Sequence, residues 1–130
     1  MAQRKTLLIV DDDQDLRGAI AEQLQAEAFD TVEADTGALG IRRAVEARPD
    51  VILLDVVLGD EDGLALIAPL HRSAEVAIVV LTSLVDPCVA VRAQRLGAVT
   101  CVHKSAPAAD LLVCIARACA NFTLPASTPP

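Results

Sequence analysis

The sequence predicts an α/β fold, a five-stranded parallel sheet with helices on both faces, because strand and helix patterns alternate along it. Three short apolar runs, Leu7–Val10, Val51–Leu54 and Val76–Leu81, have the length and aliphatic composition of fully buried parallel strands. Weaker strand patterns cover Asp30–Ala34 and Val99–Lys104. Helical patterns fill the intervals, so right-handed crossovers give a doubly wound (βα)5 sheet.

The helices are predicted from apolar spacing and from their end signals. Five are expected, over residues 16–28, 38–45, 64–70, 86–97 and 105–121. Pro69 falls late in the third and should shorten or kink it. In the fourth, Asp86 and Pro87 resemble an N-cap followed by a first-turn proline, and Gly97 resembles a C-terminal stop.

The bulk composition indicates one acidic domain. The chain has 130 residues, and we expect a single domain over residues 1–121 followed by a tail or linker rich in Pro, Ser and Thr at 122–130. The formal net charge of −7 argues against direct binding of nucleic acid, whose phosphate backbone is also anionic. The apolar runs are too short to span a bilayer, and no signal-peptide pattern precedes the first strand. We therefore expect a cytoplasmic domain with no membrane contact.

The cysteines lie in the last third of the chain. They are Cys88, Cys101, Cys114 and Cys119, and they include no C-x-x-C pair and no histidine at zinc-site spacing. We expect them to be small buried hydrophobic residues, with a redox switch as the alternative.

Polar side chains that can carry chemistry follow four of the predicted strands. In an open parallel sheet the ligand site lies at the carboxyl ends of the strands, so these side chains should converge. They are Asp11, Asp12, Asp55, Thr82, Ser83 and Lys104. Taken singly, each has an ordinary structural interpretation as a helix cap, a turn hydroxyl or a surface charge.

Together these residue types favour phosphoryl transfer. Three carboxylates held close in a partly dry site repel one another and need a cation. Oxygen ligands suit a hard dication such as Mg²⁺, which leaves coordination positions for phosphate. Lys104 and Thr82 could stabilise phosphoryl oxygens beside such an ion. Asp55, at the end of a central strand, is the best placed carboxylate to accept the phosphoryl group.

Four motifs in order resemble the receiver domains of response regulators, over about residues 5–121. They are residues 7–13, Val51–Asp55 with Asp62-Gly63, Val79–Ser83, and Gly97-Ala98 with Val102–Lys104. The resemblance implies a flavodoxin-like receiver fold and a role in bacterial two-component signalling or a phosphorelay. It implies a histidine kinase or phosphotransfer protein as phosphodonor, and no enzymatic activity beyond the domain's own phosphoryl transfer and slow self-dephosphorylation.

The resemblance also implies roles for individual residues. Asp55 would be the phosphoacceptor, and Thr82 and Lys104 would contact the phosphoryl oxygens. The Mg²⁺ ion would be held by Asp11, Asp12, Asp55 and the backbone carbonyl of Val57, with Asp12 as the direct ligand of the acidic pair.

Several positions depart from the family's pattern. Gly59 and Ser105 stand where many relatives have proline. We therefore expect the loops that follow Asp55 and Lys104 to differ in backbone conformation or mobility. Cys101 stands where many relatives have a Tyr or Phe that reorients with the threonine on activation. Val57 and Leu84 are apolar where polar side chains can help to orient the attacking water, which predicts slow self-hydrolysis.

Three alternatives fit parts of the pattern. A haloacid-dehalogenase-type phosphatase would use Asp11 as its nucleophile, but Asp15 replaces the Thr or Val of its first motif. A calcium EF-hand at residues 11–22 has Leu16 where the loop needs glycine. A degenerate receiver would act only as a protein-interaction module, and labelling of Asp55 would distinguish it.

The last predicted helix is apolar on more than one face. A stripe of Leu111, Ile115, Ala118 and Phe122 should face the core, while Val113 lies on another face. In receiver domains the fourth helix, fifth strand and fifth helix form the surface that changes with phosphorylation. We therefore expect a homodimer or an output domain to dock there, the alternative being a merely alanine-rich helix.

Overall fold

The computed structural model describes residues 4–26, 29–84 and 86–121, and it has the predicted α/β fold. The main strands are β1 Lys5–Val10, β2 Phe29–Ala34, β3 Val51–Asp55, β4 Ala77–Thr82 and β5 Thr100–His103. They form one parallel sheet in the order β2-β1-β3-β4-β5. Every residue of β3 and β4 is buried, as expected for strands covered on both faces.

Helices cover both faces of this sheet, which confirms the doubly wound prediction. They are α1 Gln14–Ala26, α2 Gly37–Ala47, α3 Ile67–Ser73, α4 Pro87–Leu96 and α5 Ala108–Asn121. Helices α1 and α5 share one apolar cluster, to which Leu24 and Ile115 belong. Helices α2, α3 and α4 pack on the opposite face, where Ala93 is buried. Ala28, the expected end of the first helix, lies outside the described residues.

The end signals of α4 act as the sequence predicts. The Asp86 carboxylate accepts a hydrogen bond from the amide of Cys88, and Pro87 occupies the first turn. Gly97 ends the helix at φ 116°, in the left-handed region that glycine adopts readily.

The third helix begins later than expected, and this changes the role of Pro69. A 3₁₀ turn covers Gly63–Leu66, and α3 starts at Ile67. Pro69 is then the third residue of the helix, where a backbone N–H has no helical partner and proline is tolerated. The helix continues through Ser73, so the expectation that Pro69 shortens or kinks it is corrected.

The apolar stripe of α5 faces the sheet wherever it is described. Ile115 and Ala118 are buried, and Leu111 is partly buried against the same cluster. Phe122, with the tail predicted at residues 122–130, lies outside the described residues, so the domain boundary stays a prediction. Val113, on another face, is 49% exposed.

The cysteines are less uniform than predicted. Cys88 is exposed at the start of α4, which makes the buried interpretation wrong for this residue. Cys101, Cys114 and Cys119 are partly buried and pack against the two apolar clusters. Burial raises the pKa of the Cys101 thiol and raises that of Cys119 to about 11, which disfavours their reactive thiolate forms at neutral pH.

Among the described residues, no helix combines the length and the apolar character needed to cross a bilayer.

Candidate functional site

The carboxyl edge of the sheet collects the buried polar side chains of the described chain. These are Asp11, Asp55 and Thr82, each less than 5% exposed. Asp11 follows β1, whereas Asp55 and Thr82 are the last residues of β3 and β4. Parallel pairing aligns the ends of neighbouring strands, so these three of the predicted positions converge. Ser83, also predicted there, is exposed to solvent.

The ammonium of Lys104 reaches this edge from the residue after β5. Its Nζ lies 3.1 Å from Oδ2 of Asp55 and 3.3 Å from Oδ2 of Asp11. The backbone amide of Lys104 donates to the carbonyl of Thr82 at 2.7 Å, which fixes the loop against β4. Burial lowers the pKa of Lys104, but the hydrogen bond to Asp55 and the two negative charges outweigh it, so the pKa is raised.

Three carboxylates stand within metal-ligating distance of one another. One oxygen each from Asp11, Asp12 and Asp55 lies within 4.8 Å of the others. Asp11 Oδ1 accepts from the amide of Asp13, but its buried Oδ2 has the Lys104 ammonium nearby and no hydrogen bond. Buried carboxylate oxygens are normally hydrogen-bonded. Asp11 Oδ2 has only its ion pair with Lys104 among the described residues, and this and the all-oxygen donor set fit a hard divalent cation.

The charge of Asp55 is disfavoured by its surroundings. Burial and the neighbouring Asp11 carboxylate raise its pKa to about 6, although the hydrogen bond from Lys104 acts in the opposite direction. Asp55 therefore ionises near neutral pH, and a second cation at the cluster would favour its charged form.

A small antiparallel hairpin after β3 holds the loop around the acidic cluster. It pairs Val57–Leu58 with Glu61–Asp62, and the sequence did not predict it. The amide of Gly59, in the turn at φ 60°, donates to Oδ2 of Asp12 at 3.0 Å. The side chain of Asp12 is thereby directed toward the cluster, although it is exposed to solvent.

Gly63 closes this hairpin against the backbone of β3. Its amide donates to the carbonyl of Val56, and a Cβ at this position would lie 1.8 Å from the carbonyl oxygen of Asp55. A side chain cannot be accommodated so close to backbone, so glycine is required here. The glycine of the Asp62-Gly63 motif therefore has a steric basis.

Glu61 makes a contact beside the site that the sequence did not reveal. Its Oε2 accepts from the amide of Gly37 at 3.0 Å, so the hairpin provides a hydrogen-bond acceptor for the first turn of α2. The exposed pair of Arg92 with Asp62, at 3.3 Å, links the same hairpin to α4. No local pattern identifies either contact, because the partners are more than 20 residues apart in sequence.

A comparison with known protein families places this site in context. The family model described as "Response regulator receiver domain" matches residues 7–116. The chain belongs to this family. The acid tolerance regulatory protein ActR of Sinorhizobium medicae is 35% identical over 112 residues, which is 85% of this receiver chain and 58% of ActR. The chain thus spans little more than half the length of that curated relative.

Solved structures give the same fold for this receiver domain. The BeF3-activated receiver domain of Klebsiella pneumoniae RstA superposes with a TM-score of 0.84 at 28% identity, covering 89% of this chain and 99% of that one. A response regulator from Burkholderia pseudomallei has a TM-score of 0.82 at 28% identity, covering 88% and 68%. The latter contains a phosphorylated aspartic acid and a calcium ion.

The phosphatase, EF-hand and degenerate-receiver alternatives are not favoured.

Two positions that depart from the receiver pattern border the site. Val57 and Leu84 are 51% and 43% exposed, so their apolar side chains face solvent at the rim. The amide of Val57 donates to Oδ1 of Asp55, and the amide of Leu84 donates to the hydroxyl oxygen of Thr82. Accepting this bond does not use the Thr82 hydroxyl hydrogen, which can therefore donate to a bound group. Metal ligation by the Val57 carbonyl stays a prediction.

Proposed function

We propose that this receiver domain accepts a phosphoryl group on Asp55 from a phosphohistidine of a histidine kinase or phosphotransfer protein, with Mg²⁺ bound. The observation that carries the proposal is the buried Asp55 carboxylate, 3.1 Å from Lys104 and grouped with Asp11 and Asp12 within 4.8 Å. A buried carboxylate, a cluster of carboxylates and an ion-paired ammonium meet at the end of one sheet.

The acidic cluster is the proposed Mg²⁺ site. Its ligands would be Asp12, Asp55 and the carbonyl of Val57, and the charge of Asp11 would support the ion. When bound, the ion supplies positive charge that neutralises phosphoryl oxygens and favours the ionised form of Asp55. Asp12 already has its carboxylate oriented by the amide of Gly59.

Asp55 is the proposed nucleophile of the transfer. One of its carboxylate oxygens forms the new P–O bond while the P–N bond of the phosphohistidine breaks, and the P–N electron pair returns to the imidazole. Lys104 moves its ammonium from carboxylate to phosphoryl oxygen with little displacement, because it is already within 3.3 Å of two carboxylates. The hydroxyl of Thr82 donates to another phosphoryl oxygen.

Self-dephosphorylation is proposed to be slow. Hydrolysis requires a water molecule to be oriented for attack on the phosphorus atom. Val57 and Leu84 offer no side-chain hydrogen bond to such a water, and both lie at the rim of the site.

The proposed outlet of the signal is the face formed by α4, β5 and α5. Val91 and Leu96 of α4, Val99 before β5, and Val113 of α5 are each more than 40% exposed. Exposed aliphatic side chains on adjoining elements suit a homodimer or an output domain. The docking face is inferred from these exposed side chains, and its response to phosphorylation rests on the proposed role of Asp55.

Mass spectrometry after incubation with acetyl phosphate and Mg²⁺ tests the phosphoacceptor. We expect one phosphoryl group per chain, located at Asp55 by borohydride reduction and peptide sequencing, and no labelling of Asp55→Asn. Asp35→Asn is the matched control, because Asp35 is exposed and lies after β2. Labelling of Asp11 instead would support the phosphatase, and an unlabelled wild type would support an interaction module.

A further inference from the structure

The ring of His103 joins two loops that carry the residues proposed to contact the phosphoryl group. His103 ends β5 and pairs with Thr82 at the end of β4. Its Nε2 lies 3.2 Å from the carbonyl oxygen of Ser83. Its Nδ1 lies 3.0 Å from the amide nitrogen of Ser105 and 2.6 Å from the Ser105 hydroxyl. The ring therefore contacts the residue after Thr82 and the residue after Lys104.

The neighbouring groups determine which ring nitrogen carries the hydrogen. A backbone N–H can only donate, so Nδ1 must present its lone pair to the amide of Ser105. Nε2 then carries the hydrogen and donates to the carbonyl of Ser83. Each nitrogen of one partly buried ring is thus used by a different loop.

Two positions that depart from the expected receiver pattern lie beside this arrangement, and one of them is required for it. Ser105 provides the N–H that proline would lack, so the contact with Nδ1 requires a residue other than proline. Cys101 precedes His103 by two residues, so both side chains leave the same face of β5. Cys101 packs into the apolar cluster beneath α4, and His103 supplies the ring that reaches the loop after β4.

We propose that His103 is a positioning residue, which supplements the backbone bond between Lys104 and Thr82 by holding the Ser83 carbonyl and the Ser105 loop on one ring. The role rests on the proposed function of Asp55. Contacts to phosphoryl oxygens accelerate transfer only when they are aimed beforehand, so loosening these loops lowers the rate of transfer. Binding of Mg²⁺ is unaffected, because the proposed ligands lie on other loops.

Kinetics of labelling by acetyl phosphate test this role. In His103→Ala we expect the maximal rate of acyl-phosphate formation to fall about tenfold, the factor that corresponds to roughly one net hydrogen bond. The Mg²⁺ affinity, measured by calorimetry, should not change. Thr100→Ala, at the other end of β5, is the matched control and should keep the wild-type rate.

Two further variants separate hydrogen bonding from packing. His103→Leu keeps apolar bulk without hydrogen bonds and should be as slow as His103→Ala. His103→Gln keeps a side-chain N–H that can donate to the Ser83 carbonyl and should recover part of the rate. A wild-type rate in His103→Ala, or full recovery in His103→Leu, would overturn the proposal.

Amide hydrogen exchange without phosphodonor tests the contacts of His103 with the two loops. In His103→Ala the amides of Leu84, Lys104 and Ser105 should exchange faster, while those of α2 keep their wild-type rates. Faster exchange throughout the chain would indicate general destabilisation and count against a positioning role. If the wild type is not labelled at Asp55, the proposed function fails, and His103 loses its role in phosphoryl transfer. The exchange pattern would then show only whether His103 holds the two loops.

Discussion

At the scale of single residues, Asp55 lies in surroundings that oppose its charge. Burial and the Asp11 carboxylate raise its pKa from an ordinary 3.8 to about 6, against the hydrogen bond from Lys104. Between pH values of about 4 and 6 the native state therefore binds a proton that the unfolded chain has released. The free energy of unfolding then falls as pH rises through this window, and the full penalty of the buried charge applies above it.

Replacing Asp55 by asparagine should stabilise the metal-free protein at alkaline pH. Asp55→Asn removes the charge but keeps the shape, so the free energy of unfolding should rise by about 1–3 kcal/mol at pH near 8 and much less near pH 4. Urea unfolding in the presence of a chelator measures both values. Asp35→Asn should show no such pH-dependent gain, and a gain in Asp55→Asn that is the same at both pH values would contradict this account.

The sequence could locate the strand-end residues but not their contacts. Asp11, Asp55 and Thr82 were predictable because each follows a buried run, and parallel strands end at one edge. The contacts of Glu61 with α2, and of His103 with two loops, depend on how separate elements pack. A single polar residue at either position has no pattern from which its partner could be deduced.

At the scale of elements, the hairpin after β3 is the part of the fold that the sequence missed. Its two-residue strands, Val57–Leu58 and Glu61–Asp62, are too short to give an alternating pattern. The start of the third helix was predicted three residues too early. The reason is that the 3₁₀ turn at Gly63–Leu66 also carries apolar residues and cannot be told from a helical turn by pattern. The long buried strands and the capped α4 were predictable, since their signals extend over several residues.

Two glycine substitutions with opposite expected effects test the packing of this hairpin. Gly63→Ala should lower the free energy of unfolding by more than about 2 kcal/mol, because its Cβ would overlap the carbonyl of Asp55. Gly18→Ala, within α1, has open space around the new Cβ and should raise stability by about 0.5–1 kcal/mol. Denaturant unfolding of both variants measures the difference. A neutral Gly63→Ala would show that the hairpin can shift away from β3.

At the scale of the whole molecule, the face of α4, β5 and α5 should determine assembly. We expect beryllofluoride with Mg²⁺ to convert the chain from monomer to dimer in sedimentation equilibrium. Val113→Lys should prevent the conversion, because a charge would be buried in an apolar interface. Glu22→Lys, on the exposed side of α1, is the control that should still dimerise. A molar mass that stays that of the monomer with and without beryllofluoride would exclude the homodimer.

The strand order also has a consequence for how the site is made during synthesis. Strands β2, β1 and β3 are neighbours, so the first 55 residues can already pair into a three-stranded sheet. That partial sheet would bring Asp11 and Asp55 together before the Lys104 ammonium exists, since Lys104 follows Asp55 by 49 residues. Strands β4 and β5 then add in chain order at one edge and bring Thr82 and Lys104 with them. Until β5 docks, only Mg²⁺ or a bound proton can offset the charge of these carboxylates. On the proposed function of Asp55, we therefore expect competence for phosphorylation to follow the docking of β5.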